Sequence, residues 1–173
     1  MKKILIFLLL FLSISCSSNI LTKKSGESID CPPVFFASEN RNYLNSEEKP
    51  LTLDNVSFKA EINNYAFNKS CFQENDIRTF PLDILFIINP IKPASPNVVL
   101  PFYVALLNSD QQLFEMQYFS ISGEMRNDLN TKAYLQTEFL KSINIITSKK
   151  NLVSSLVVGF MLDKNKEELL NQF

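Results

Sequence analysis

Val56-Ser57-Phe58-Lys59-Ala60-Glu61-Ile62-Asn63 alternates without a break, with Val56, Phe58, Ala60 and Ile62 on one side and Ser57, Lys59, Glu61 and Asn63 on the other. A period of two places the apolar set on one face of an extended chain and leaves the other face wet. This stretch decides the fold class, because its surroundings read the same way. Phe80, Leu82, Ile84, Phe86 and Ile88 form one face of another strand, with Asp83 on the other. Leu85 and Ile87 make its second half apolar on both sides, as a central strand requires. Asn63 and Asn64 predict a turn, after which residues 65–72 return as a short strand carrying Cys71. Residues 100–107, the polar turn Asn108-Ser109-Asp110 and residues 113–121 predict a hairpin. In its second arm Phe114, Met116 and Tyr118 alternate with Glu115 and Gln117. The apolar three are assigned to the core, and lining a pocket for lipid is their rarer use.

Further out the pattern persists. Residues 133–146 read as a strand, with a short helix within 127–140 as the competing reading. Residues 152–162 form a nearly all-apolar closing strand. Asp163 caps a final helix, with Glu167 and Glu168 in its early turns, where the helix dipole favours acids. On the other side, Cys31-Pro32-Pro33 bars a helix interior and a central strand position, so residues 34–37 are an edge strand. Residues 38–50 are polar and loop-like, pinned by Tyr43 and Leu44, and residues 89–97, with Pro90, Pro93 and Pro96, are a loop. About seven short strands and one terminal helix imply an all-β fold, an antiparallel immunoglobulin-like β-sandwich over residues 31–173.

The first residues carry a different signal. Lys2 and Lys3 precede an unbroken apolar run from Ile4 to Leu12, and Ser13, Ile14 and Ser15 lead into Cys16. That is the layout of a secretory signal peptide, residues 1–15, and the run is too short to span a hydrocarbon core of roughly 30 Å. Cys16 after small residues fits a bacterial lipobox, in which the thiol is acylated before cleavage. The usual Leu stands one place early, at Leu12. Residues 16–30 then read as the lipidated Cys and a flexible tether, whose fourteen residues after Cys16 reach about 20 Å.

Composition excludes much chemistry. Without Lys2 and Lys3 the chain holds 15 basic against 18 acidic residues, a net charge of −3, which is no footprint for nucleic acid. Three glycines leave no Gly-rich phosphate loop, and the lack of any histidine removes the usual general base and most transition-metal sites. With Cys16 acylated, Cys31 and Cys71 remain; in an exported chain an even pair reads as a disulfide, and two cysteines cannot close a zinc site. Asp54, Asp83, Glu115 and Glu138 are the acids placed on wet strand faces, and solvated strand charges are their ordinary reading. No catalytic residue, metal ligand or cofactor is expected.

Cys31-Pro32-Pro33-Val34, then residues 56–62 with Cys71-Phe72, then residues 100–105, then Val158-Gly159-Phe160-Met161-Leu162 followed by residues 167–171 recur in a familiar order and spacing. In these pieces the chain resembles an uncharacterised family of alphaproteobacterial envelope lipoproteins with a Cys-Pro-x-Val start, a second Cys and a Gly-Phe-x-Leu closing strand. The resemblance covers nearly all of residues 31–172. Met161 and Asp163 depart from it, and residues 89–91 replace a Gly-Pro turn. It implies the Cys31–Cys71 bridge and the lipid anchor, and it brings no known activity. The expectation is a non-enzymatic lipoprotein on the periplasmic face of the outer membrane, sorted there by Ser17, with the inner membrane as the other destination. Its domain would be a protein-interaction module for an envelope partner. The alternative is a carrier of a hydrophobic small molecule, with a cavity lined by Phe86, Phe102 and Tyr118.

Overall fold

A computed structural model describes residues 26–92, 95–131 and 133–172. The expected signal peptide, Cys16 and the tether as far as Ser25 lie outside the described residues. Two sheets pack face to face. Their strands, in chain order, are β1 (Glu27–Ser28), β2 (Val34–Phe36), β3 (Asn42–Asn45), β4 (Phe58–Phe67), β5 (Phe72–Glu74), β6 (Ile77–Pro90), β7 (Asn97–Leu107), β8 (Leu113–Glu124), β9 (Thr137–Ser148) and β10 (Ser155–Phe160). A helix, α1 (Lys164–Leu170), follows β10. The six-stranded sheet runs β1-β5-β6-β4-β3, with β9 on the far edge of β6, and the four-stranded sheet runs β2-β10-β7-β8. Among the described strands only β2 and β10 pair in parallel.

The all-β expectation with one terminal helix is met, and the hairpin of β7 and β8 and the central place of β6 are as expected. The described strands number ten rather than about seven. β3 arises from the stretch read as a loop, because Tyr43 and Leu44 are both buried. β1 pairs with β5 through its backbone inside the expected tether, where no apolar pattern marks it. Asn63 and Asn64 do not turn the chain. The register shifts between Ile62 and Asn64, and this bulge hands the inward face from Ile62 to Tyr65 and Phe67, which pack against the core. β4 therefore continues to Phe67, and the return strand expected at residues 65–72 does not form. The break comes at residues 68–71, opposite Pro81, whose carbonyl accepts from the Asn68 N–H and which has no N–H to leave unpaired on that edge.

The core is dominated by phenylalanine. Phe86 meets Phe102 at 5.1 Å and Phe160 at 5.7 Å between ring centroids, and Phe102 stacks on Phe119 at 5.5 Å. Asp163 caps α1 by accepting from the Lys166 backbone N–H, and the Lys166 ammonium lies 2.6 Å from the same carboxylate and over the Tyr43 ring. Those contacts tie the helix to β3. Bonding to Lys166 holds the Asp163 carboxyl below its ordinary range.

The sandwich has two distinct ends. The β5–β6 turn, the β7–β8 turn and the β9–β10 loop share one end, as the Lys149 N–H to Asp76 carbonyl and Ser154 N–H to Leu107 carbonyl bonds show. The described chain also begins there, with Gly26 beside Gln73. The β6–β7 and β8–β9 loops and α1 occupy the opposite end, where Phe58 pairs with Pro90 and Asn97 with Glu124.

Candidate functional surface

β8 carries two apolar patterns of opposite parity. In its first half the even positions Met116 and Tyr118 are apolar, and in its second half the odd positions Phe119 and Ile121 are. The register against β7 shows no irregularity between Glu115 and Glu124, so only one parity can face the interior. The interior takes Phe119 and Ile121, opposite the buried Phe102 and Leu100. This overturns the assignment of Phe114, Met116 and Tyr118 to the core or to a lipid pocket. They lie toward the outside, where Tyr118 is 63% exposed.

The outer face they join is apolar across four strands. Phe35, Val157, Ala105 and Met116 stand side by side through the β2–β10, β10–β7 and β7–β8 registers. Phe35 is 55% exposed, while Ala105 is covered by its larger neighbours. The adjacent row is Gly159, Tyr103 and Tyr118. The Tyr103 ring lies across Gly159: a Cβ there would stand 2.6 Å from its hydroxyl and 2.7 Å from Cζ. Burial raises the Tyr103 phenol above its ordinary pKa, so it is neutral at any physiological pH. No side chain in these two rows is charged. Further along β8 the face turns polar, through Ser120, Ser122 and Glu124.

The same parity sends Glu115 and Gln117 inward, opposite Leu106 and Val104. They meet β9 at the corner where the free edges of the two sheets adjoin. The Glu115 carboxylate accepts from the Thr147 hydroxyl at 2.7 Å and from the Gln117 amide at 2.6 Å. Gln117 also donates to the Ile146 carbonyl, and Asn151 donates to the Thr147 hydroxyl. The opposite corner is closed by the chain itself, through residues 37–41 between β2 and β3, where the Phe160 N–H donates to the Asn40 carbonyl and the Asn40 side-chain amide donates to the Phe160 carbonyl.

The other sequence-derived sites are placed as follows. Cys31 and Cys71 form a disulfide with their Cα atoms 5.3 Å apart, tying the approach to β2 to the start of β5. Of the four acids assigned to wet strand faces, Asp83 and Glu138 keep that place; the Asp83 carboxylate accepts from the Asn68 amide at 2.6 Å. Asp54 instead lies in a 3-10 turn, Leu53–Asn55, and Glu115 faces the corner just described. The four belong to different parts of the sandwich and do not converge. Phe86 and Phe102 pack ring to ring in the interior with Tyr118 outside, so these three share no cavity. Open clefts lie elsewhere: one of about 400 Å³ at the β4–β5 break, bordered by Asn68, Phe72 and Ser142, and one of about 300 Å³ beside α1, bordered by Lys49 and Lys166. Among the described residues no group of three or more acids and cysteines is placed to hold a metal ion, and no helix is long and apolar enough to cross a membrane.

No family model matches the chain, and no curated protein or solved structure matches it significantly.

Proposed function

We propose that this protein is a lipid-anchored interaction module of the bacterial envelope, held through Cys16 and engaging a protein partner with the outer face of its four-stranded sheet. The observation that carries the reading is the uncharged pair of rows centred on Phe35, Met116 and Tyr118. A β-sheet face built from aromatic and aliphatic side chains, with a polar rim at Ser120, Ser122 and Glu124, has the composition of a protein-binding core and rim. The partner's complementary surface is apolar and flat enough to lie across four strands. In layer architecture, two packed sheets that are antiparallel apart from the β2–β10 pair and are joined by cross-sheet connections, the domain is similar to an immunoglobulin-like sandwich. The leader, the Ser17 position and the resemblance to envelope lipoproteins support placement on the periplasmic face of the outer membrane.

The test is photocrosslinking in intact envelopes. A benzoylphenylalanine at Tyr118 should give one dominant protein adduct, while the same probe at Ser142, on the outer face of the other sheet, should not. Met116→Glu in the Tyr118-probe chain should abolish that adduct. Adducts equal at both positions, or untouched by Met116→Glu, would remove the sheet face from the interaction. Cys16→Ala should release the protein from the membrane fraction, and retention would remove the anchor.

A further inference from the structure

The chain enters the described domain at Gly26, at the end formed by the β5–β6, β7–β8 and β9–β10 connections. We infer that this end rests on the lipid bilayer, with Leu152 set into the interface. The inference rests on the Cys16 anchor proposed above, and its test separates the two.

The first argument is reach. Gly26 follows Cys16 by ten residues. Ten residues span about 33–36 Å fully extended and have a root-mean-square length of about 16–19 Å. β6 runs from one end of the sandwich to the other in 14 residues, which is roughly 45 Å. An anchor at Cys16 therefore keeps the Gly26 end next to the bilayer. Inverting the domain would lift Gly26 farther from the surface than the stretched tether can follow.

The second argument is what that end presents. Leu152 is 70% exposed in the β9–β10 loop, just after Lys149 and Lys150. Ile77 and Ile146 are exposed around it on one sheet, and Leu113 and Phe114 on the other. A projecting aliphatic residue beside lysines, ringed by apolar side chains from both sheets, fits the chemistry of the headgroup–acyl boundary. Asp76 and Asp110 stand at the same end and offset Lys149 and Lys150. The contact is accordingly apolar and needs no anionic lipid. Holding this end a tether's length from the bilayer supplies the local concentration that a weak apolar contact lacks on its own.

The chain has no tryptophan, so a single introduced one reports only its own surroundings. The native lipidated chain, its Leu152→Trp variant and its Leu129→Trp variant are reconstituted into phosphatidylcholine vesicles containing a brominated phosphatidylcholine. Leu129, 90% exposed in the β8–β9 loop, marks the opposite end. Leu152→Trp emission should shift to the blue and fall at least about twofold with brominated lipid, as for a residue at the interface. Leu129→Trp emission should not change. Unquenched Leu152→Trp on vesicle-bound protein would overturn the inference and leave the anchor standing. A blue shift without quenching would place a second copy over this end and overturn it equally. If Cys16→Ala floats with the vesicles as the native chain does, the anchor fails and the inference falls with it. Both residues are exposed, so matching melting temperatures among the three chains confirm that the variants fold.

Discussion

Glu115 is the residue whose removal should cost most for an acid on this surface. It stands at the β8–β9 corner of the sandwich near the β7–β8 turn, where no chain connection joins the two strands; their loop, residues 125–136, lies at the other end. Glu115→Ala deletes two charge-assisted hydrogen bonds, from Thr147 and Gln117. Such bonds contribute about 1.5–3 kcal/mol each when intact and desolvated. Glu115 is only half-buried, Thr147 keeps its bond from Asn151, and Gln117 keeps the Ile146 carbonyl, so the low end applies. The expected loss is about 2–3 kcal/mol. With an unfolding entropy near 2.1 cal/mol/K per residue over about 145 ordered residues, this lowers Tm by roughly 7–10 °C. Glu115→Gln, which keeps an acceptor and loses the charge, should cost about 1 kcal/mol.

Urea titration of the native chain, Glu115→Ala, Thr147→Val and the double variant measures this directly. The coupling energy between the two positions should reach at least about 1 kcal/mol, as for residues in one hydrogen-bond network. Amide exchange should quicken at Ile146 far more than at Phe86 in the central strand. A Glu115→Ala loss below about 0.5 kcal/mol is what an ordinary exposed charge would give, and with zero coupling it would refute the corner's role in closing the sandwich.

Other outcomes follow from the same geometry. Gly123→Ala places a Cβ 2.8 Å from the Phe139 ring, where β8 and β9 adjoin nearer the β8–β9 loop, which should cost about 1–3 kcal/mol by overpacking; adding Phe139→Leu should restore part of it in thermal melts. Replacing Cys31 and Cys71 together by alanine opens a loop of 40 residues' separation, a loss of about 4 kcal/mol in the chain-entropy model and roughly 13 °C in Tm, and dithiothreitol should lower the native Tm comparably. Asp163→Ala removes the cap of α1 and should cost about 1 kcal/mol at neutral pH. Because the folded Asp163 pKa is depressed by Lys166, its contribution is present above the unfolded carboxylate pKa and fades as pH falls through the lower folded value. The gap between native and variant in urea melts should therefore close on acidification.

Much of the architecture was legible in residue pattern. The alternation at residues 58–62, the doubly apolar half of β6, the β7–β8 turn and the Asp163 cap each state a local preference that the packed domain keeps, whereas Ser57, read on the wet face, is buried just before β4 begins. What escaped had physical reasons. β1 and β3 are edge strands of two and four residues, too short to display a period. The Asn63-Asn64 pair has turn chemistry, yet a bulge uses the same residues to rephase β4 so that Tyr65 and Phe67 reach the core. Pairing partners belong to the whole sheet, and no window of sequence contains them.

β8 shows why the candidate surface could not be found by pattern alone. Read by itself, its first half votes for Phe114, Met116 and Tyr118 as the buried set. Its second half votes for Phe119 and Ile121. A bulge between the halves would have satisfied both, as the one in β4 does for Ile62 and Tyr65. β8 has none there, and the stacking of Phe119 on the fully buried Phe102 decides the parity for the whole run from Glu115. Two costs follow from that choice: apolar side chains are left outside at Met116 and Tyr118, and an acid and an amide are turned inward at Glu115 and Gln117. The second cost is met inside the molecule, by Thr147 and the Ile146 carbonyl. The first is met by nothing within the described residues beyond the flanking Phe35, Val157 and Tyr103. Serine or threonine at Met116 and Tyr118, as at Ser120 and Ser122 on the same face, would have avoided it. A strand that keeps a local conflict which such simple substitutions would remove is where a binding surface is expected, and this favours the proposed contact on this face over the mixed outer face of the six-stranded sheet.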